Sequence, residues 1–278
     1  MNRAGRSMAS GLAACLAASL LGAGCTDRKV LIAYRLEGGQ RTHYEWSIEA
    51  TSRLTTPNEV DTTRLSTRLT VEETVLAAGR DGRRRVRLRL KPKSLREDGI
   101  ALNPLPRPSS VEFGLDTSGR VTGVKGSLSH GNRTPELGTL ASEIRPGLSP
   151  VPVGIGETWP SPLRASEAGA RLNLSGTGRL EGYDFLDRRR IALIETNRRG
   201  SIRSGEIIDG ASVVLSGKTR SSGRAAVDVD RRALVYSNQR SVTDFDLLSG
   251  ESRTGKMRVT RTSRLRLIGG GAEPAGRS

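Results

Sequence analysis

Apolar and polar residues alternate along most of this chain. In the stretch "GRDGRRRVRLRLKPK", Val86, Leu88 and Leu90 interleave with Arg85, Arg87 and Arg89. A period of two marks a strand with one apolar and one polar face. Tyr44, Trp46, Ile48 and Ala50 repeat the pattern, as do Leu65, Leu69, Val71 and Val75, and Val111, Phe113 and Leu115. Further along come Leu172 with Leu174, Ile191 with Leu193, Val213 with Leu215, Val227 with Val229, Val235, and Leu265 with Leu267. The first strand signal, "VLIAYRL", starts at Val30. Between the alternating runs, "RDGR", "DTSGR", "GTG", "SGK" and "LSGE" read as turns. The pattern predicts an all-β, mainly antiparallel protein, built as a curved sheet or half-barrel or as two packed sheets.

One segment breaks the period. In "TPELGTLASEIRPG", Thr134 suits an N-cap and Pro135 the first helical position. Leu137, Leu140 and Ile144 fall on one face, and Pro146-Gly147 is a stop, which predicts one short helix over Pro135–Arg145. A Pro-rich segment, "PGLSPVPVGIGETWPSP", follows it. The helix and this segment, about 134–165, join two strand sets within a β domain expected over 30–268, and the tail 269–278 has no apolar content to fold it. "GRDGRRRVRLRL" before "VEFGLDTSGRVTGV" parallels "EGYDFLDRRRIALIE" before "GRAAVDVDRRALVYS". Internal duplication and convergent hairpin chemistry explain this parallel equally well.

The amino terminus decides the compartment. Arg3 and Arg6 precede an uncharged run, Met8 to Gly24, rich in Ala, Leu and Gly, and small residues lead into Cys25. This is the layout of a secretory signal over 1–24. It is similar to a bacterial lipoprotein signal, in which Cys25 would carry a diacylglyceryl group and 25–29 would form a lipidated tether. The box before Cys25 reads Leu21-Gly22-Ala23-Gly24, with leucine one step further out than usual. Cys15, in "LAAC", is a rival, but cleavage there would leave an apolar "LAASLLGAG" on the mature chain. The run falls short of the ~20 apolar residues that cross a bilayer. The expected location is therefore outside the cytoplasm, lipid-anchored to the inner or outer membrane and facing periplasm or exterior.

Location changes the meaning of the charge. The chain carries 45 basic and 29 acidic residues, a net +16. An exported protein does not meet the genome, and few aromatics are available to stack on bases, so nucleic acid is not an expected partner. Solvated strand faces explain the arginines, which also discourage pairing of sheet edges. The functional alternative is attraction to anionic envelope lipid or polymer.

Signs of catalysis are sparse. His43 and His130 are the only histidines and belong to no metal spacing. No nucleophile or zinc motif occurs, so the expectation is a non-enzyme with no cofactor and no metal. "GTGRLEG" has the wrong glycine spacing for a dinucleotide loop. Asp228 with Asp230, and Asp244 with Asp246, are spaced to share a strand face. Ion pairs with arginine suit them better than a Ca²⁺ site, which draws on more oxygen donors. Glu72 and Glu73 are adjacent and point to opposite faces. Trp46 belongs on an apolar face, and Trp159 is expected to pack over the end of the sheet.

The signal box, "GLDTSGRVTGV", "PVGIGETWP" and "LEGYDFLDRRRIALIE" together resemble an uncharacterised family of bacterial lipoproteins. That resemblance implies no activity. The layout is also similar to lipoprotein carriers of the LolA/LolB type and to mycobacterial lipid-carrying lipoproteins, which implies a curved half-barrel over an apolar cavity. Two functions follow as expectations: binding or carriage of an acylated ligand, or a structural or assembly scaffold of the envelope with no small ligand.

Overall fold

The computed structural model describes residues 29–78, 83–105, 107–127, 145–167, 170–186, 188–208, 211–250 and 252–269. The strands are β1 (Arg41–Thr55), β2 (Val60–Ala78), β3 (Arg84–Glu97), β4 (Ile100–Ala101), β5 (Ser109–Leu115) and β6 (Val121–Ser127). After the Pro-rich segment come β7 (Thr158–Pro160), β8 (Leu163–Glu167), β9 (Ala170–Leu186), β10 (Arg189–Ile208), β11 (Ala211–Asp228), β12 (Ala233–Ser249) and β13 (Ser252–Gly269). They form one open sheet in the order β6-β5-β3-β2-β1-β13-β12-β11-β10-β9-β7, with β4 on β3 and β8 on β9. Every named pairing is antiparallel, and β1 against β13 fuses the two strand sets. The chain is all-β, as the alternation predicted. The helix expected over Pro135–Arg145 lies outside the described residues except for Arg145, which is in a bend.

The alternating residues do face inward. Val86, Leu88 and Leu90 are buried while Arg85, Arg87 and Arg89 are exposed. Trp46 is wholly buried opposite Leu69 and Leu265. Two strands slip by one residue from the expected face. In β10 it is Ala192 and Ile194, rather than Ile191 and Leu193, that join the main core, and in β12 it is Leu234 rather than Val235. "IALI" and "ALVY" are apolar on both faces, so alternation there does not choose the register.

Three other expectations are corrected. "VLIAYRL" buries alternate residues, Ile32, Tyr34 and Leu36, but among the described residues its strand-like pairing is limited to the bridge of Val30 to Val153. "GTG" and "SGK" are not turns: Gly176 and Gly178 lie inside β9, and Gly217 inside β11. These glycines make room. A Cβ on Gly178 would fall 2.5 Å from the Trp159 ring, and one on Gly217 would fall 2.5 Å from the Asp244 carbonyl oxygen. "DTSGR" and "LSGE" do turn, with Gly119 and Gly250 at positive φ.

An open sheet with one apolar face must have that face covered. At one end the chain covers it with its own non-strand segments, residues 30–36 and 145–157, here called the strap. The Tyr34 N–H donates to the Thr117 carbonyl in the β5–β6 turn, and the Arg35 N–H to the Arg232 carbonyl in the β11–β12 turn, both at 2.8 Å. The Leu148 N–H reaches Ser118 at 2.8 Å, and the Gly156 N–H reaches Leu180 on β9 at 2.7 Å. The strap thus ties together hairpins from both halves of the sheet. Its side chains Ile32, Tyr34, Leu148 and Val153 share one core with Trp46, Phe113, Leu115, Trp159, Leu180, Ile194 and Val227.

Further along the strands the inner face turns polar. Thr196, Arg198, Thr219, Gln239, Thr243 and Ser263 are all buried. The Thr243 hydroxyl donates to that of Thr219, and the Trp46 indole N–H to that of Ser263, each at 2.8 Å. Two smaller apolar clusters lie beyond: Val213, Leu215 and Leu247, and Leu163, Leu172 and Leu174.

Candidate functional site

The strap is held by buried charge. Glu73, inward on β2, forms a hydrogen-bonded ion pair with Arg145, the first described residue of the second strap segment. Their side chains are 7% and 4% exposed. The Arg145 guanidinium also lies 4.7 Å from the centre of the Tyr34 ring, whose hydroxyl donates to the Pro146 carbonyl at 3.3 Å. A second buried arginine, Arg198 on β10, donates to the Ser161 carbonyl at 2.9 Å and to its hydroxyl at 3.0 Å. Trp159 closes the segment on itself by donating to the Gly147 carbonyl at 2.8 Å.

Burial raises the pKa of both Tyr34 and Tyr44 well above the ordinary phenol value; the Glu73 charge adds to this and Arg145 opposes it. For Arg145, burial works against the charged form, and Glu73 with the two tyrosines more than compensates. The tyrosines give the fold an alkaline limit. Below pH ~10 both phenols are protonated whether the chain is folded or not, and stability is intact. Above that, only the unfolded chain releases the protons, so stability falls by about 1.4 kcal/mol per pH unit for each tyrosine. Denaturant titrations between pH 9 and pH 11.5 should show Tyr34→Phe/Tyr44→Phe declining less steeply than the parent. A parallel decline would contradict the assignment.

Most residues singled out in the sequence prove to be structural. Asp228 is buried, pairs with Arg189 at 2.8 Å and caps the turn through the N–H groups of Asp230 and Arg231. Asp230 is exposed in that turn and does not act with Asp228 as a pair. Asp244 pairs with Arg258 at 3.7 Å, and Asp246 pairs with Arg253. Outside, Glu112 takes Arg87 and Arg85, whose hydrogen bonds hold its carboxyl below the usual carboxylate range. Glu72 and Glu73 do face opposite ways, and Trp159 packs over Gly178. His43 is half-buried on β1. Cys15, Cys25 and His130 lie outside the described residues.

The strapped end carries a feature that sequence reasoning missed. Chain position Lys29, four residues after Cys25, sits here, its amine 2.5 Å from Glu157. In the strap Leu31, Val151 and Ile155 are exposed, and at the same end of the sheet so are Phe185 and Leu186 of the β9–β10 tip and Ile268 near the end of β13. Phe185, at the tip of the β9–β10 hairpin, is 72% exposed. Arg188 follows it, and Arg231 and Arg232 form the tip of the β11–β12 hairpin; none of the three pairs with a described acid. A concavity of about 360 Å³ lined by Arg35, Glu37, Arg189, Asp230 and Arg231 joins the two tips. Arg188 and Arg232 have φ of 64° and 55°, the left-handed region that Gly119 and Gly250 occupy in other hairpins. A side chain there costs roughly 1–2 kcal/mol relative to glycine, so two arginines hold strained positions at one end. The signal was readable in "DFLDRRR" and "DVDRR", but each read as turn chemistry until the fold set them side by side.

Comparison with protein-family models and with curated proteins finds no match for the chain.

Proposed function

We propose that this protein is a lipid-anchored, non-enzymatic scaffold of the bacterial envelope, attached through Cys25 and lying with its strapped end against the membrane. The supporting observation is the meeting of three features at that end: the chain leaving toward Cys25, exposed apolar residues including Phe185 and Leu186, and arginines at two hairpin tips that pair with no described acid. An aromatic and aliphatic tip enters the interface between headgroups and acyl chains while neighbouring arginines attract anionic lipid, at ~1 kcal/mol each. The two acyl chains of a diacylglyceryl group suffice for stable anchoring, and the contact at the hairpin tips then sets the orientation of the domain.

Carriage of an acyl chain is the other reading of the same sequence, and it needs an apolar cavity. Protein side chains fill the inner face at the strapped end, and its middle is lined by hydroxyls, Gln239 and Arg198. This favours the scaffold. Native mass spectrometry of the chain from Thr26 to Ser278 distinguishes the two: a protein-only mass is expected, and copurified lipid would favour carriage.

Cys25→Ala should move the protein out of the membrane fraction, whereas Cys15→Ala should not. In the chain from Thr26 onward, Phe185→Ser/Leu186→Ser should weaken binding to anionic vesicles about tenfold or more, because burying the two side chains contributes ~1.5–3 kcal/mol each when complete. Unchanged binding would remove the strapped end from the membrane.

A further inference from the structure

The outer face of the sheet carries a second concentration of arginine. Arg199 on β10 and Arg220 on β11 are direct cross-strand partners. Arg240 on β12 stands opposite Ser222, diagonal to Arg220. Like charges facing each other across a ladder are destabilising. Some arginines on this face are matched by acids, Arg224 by Glu181 at 3.1 Å, Arg87 by Glu112 at 2.7 Å and Arg258 by Asp244 at 3.7 Å, while others, such as Arg171 opposite Arg203, have no described acid. No described acid pairs with Arg199, Arg220 or Arg240. Between the three, short side chains leave the sheet open. Ser175, Thr177, Asn197 and Ser222 line the floor of a trough of about 660 Å³. Besides Arg198, which is bonded to Ser161, and Val242, its lining holds three guanidinium groups with no described acid, four hydroxyls and a carboxamide, and no aromatic ring.

We propose that this trough binds a phosphorylated saccharide of the cell envelope. A guanidinium fork matches a phosphate with two parallel hydrogen bonds, which a carboxylate-poor trough leaves available. Hydroxyls and a carboxamide match sugar hydroxyls. The volume falls within the range of small-molecule sites. Cross-strand and diagonal neighbours stand about 5 and 7–8 Å apart, so Arg199 with Arg220, and Arg240, reach two separate phosphates on one or two sugar units. The source follows from position, and this step rests on the orientation proposed above. Arg199 lies ten residues along β10 from Arg189, roughly 33 Å from the hairpin tip at the rise of an extended strand. That distance clears the headgroup layer, so the ligand belongs to a saccharide standing away from the bilayer.

The test uses the chain from Thr26 to Ser278, which contains every described residue. Glucose 1,6-bisphosphate is titrated by calorimetry, with glucose as the uncharged control. The bisphosphate should bind and glucose should not. Arg220→Gln and Arg240→Gln should each weaken binding about tenfold, the loss of one charge-assisted contact. Arg68→Gln, on the same face of β2, should leave binding unchanged. Arg220→Gln should also raise the melting temperature of the ligand-free protein by roughly 1–3 °C, because it relieves repulsion from Arg199. A solubilising coat of arginine would show the gain in stability but no binding to lose. No heat at millimolar bisphosphate, or equal affinity in the Arg220→Gln variant, overturns the proposal. Vesicles containing phosphatidylinositol 4,5-bisphosphate form the second arm. Their binding should not respond to Arg220→Gln; a loss there, with no binding of the free bisphosphate, would assign the trough to a headgroup and overturn the saccharide. The bisphosphate result stands whether or not Phe185 and Leu186 touch the membrane.

Discussion

Glu73→Leu should destabilise the fold by about 3–5 kcal/mol, because it leaves the Arg145 guanidinium buried without its counter-charge. The pair is nearly inaccessible to water, and Arg145 belongs to the strap over the end of the core. The variant should unfold at markedly lower denaturant. The double variant Glu73→Leu/Arg145→Met should recover most of the loss, since an apolar pair of similar bulk removes the desolvation cost of both charges. That recovery separates an uncompensated charge from simple damage to packing. A loss in Glu73→Leu below about 1 kcal/mol, the scale of an exposed ion pair, would mean that water reaches Arg145 and that the strap is loosely held.

Gly178→Val should cost about 3 kcal/mol or more, comparable to deleting a buried aromatic side chain. The Trp159 ring lies directly on Gly178, with its Cε2 and Nε1 atoms 2.5 Å from where a Cβ would be. Valine there forces the indole out of the core and breaks its hydrogen bond to Gly147. Trp46 stays buried, so the red shift in fluorescence should come from one of the two tryptophans. Gly182→Ala on the same strand is the control: nothing lies within 4 Å of its added Cβ, and the change should be small. An unshifted spectrum for Gly178→Val would contradict the packing of the central segment.

These two sites mark the boundary of what the sequence reveals. Wherever one face alone is apolar, as at Val86-Arg87-Leu88-Arg89-Leu90, the alternation identifies both strand and face. It loses the face at Ile191–Ile194, where both sides are apolar. It also misreads glycine. "GTG" looks like a turn because glycine usually marks one, yet Gly178 is needed for the approach of Trp159, a constraint that exists only after folding. "VLIAYRL" has the period of a strand because its alternate residues are buried, but its amides bond to hairpin turns rather than to a ladder. Glu73 was visibly on the opposite face from Glu72; its partner stands 72 residues away and is not marked in the local sequence. The arginine trough was invisible for the same reason. Each of Arg199, Arg220 and Arg240 reads as a solvated strand residue, and only the β10–β11–β12 register brings them together.

The central claim is the orientation of the domain on the membrane. The chain from Thr26 to Ser278 contains no cysteine, so a single spin label can be placed at will. Phe185→Cys labels the strapped end, and Val60→Cys, at an exposed position starting β2, labels the far end of the sheet. With protein bound to anionic vesicles, collision rates with oxygen and with a water-soluble nickel chelate report the depth of each label. The account predicts a label at residue 185 within ~5–10 Å of the acyl boundary, rich in oxygen and shielded from nickel, and a label at residue 60 fully open to nickel. Equal nickel access at both positions, or a deeper label at residue 60, would contradict it.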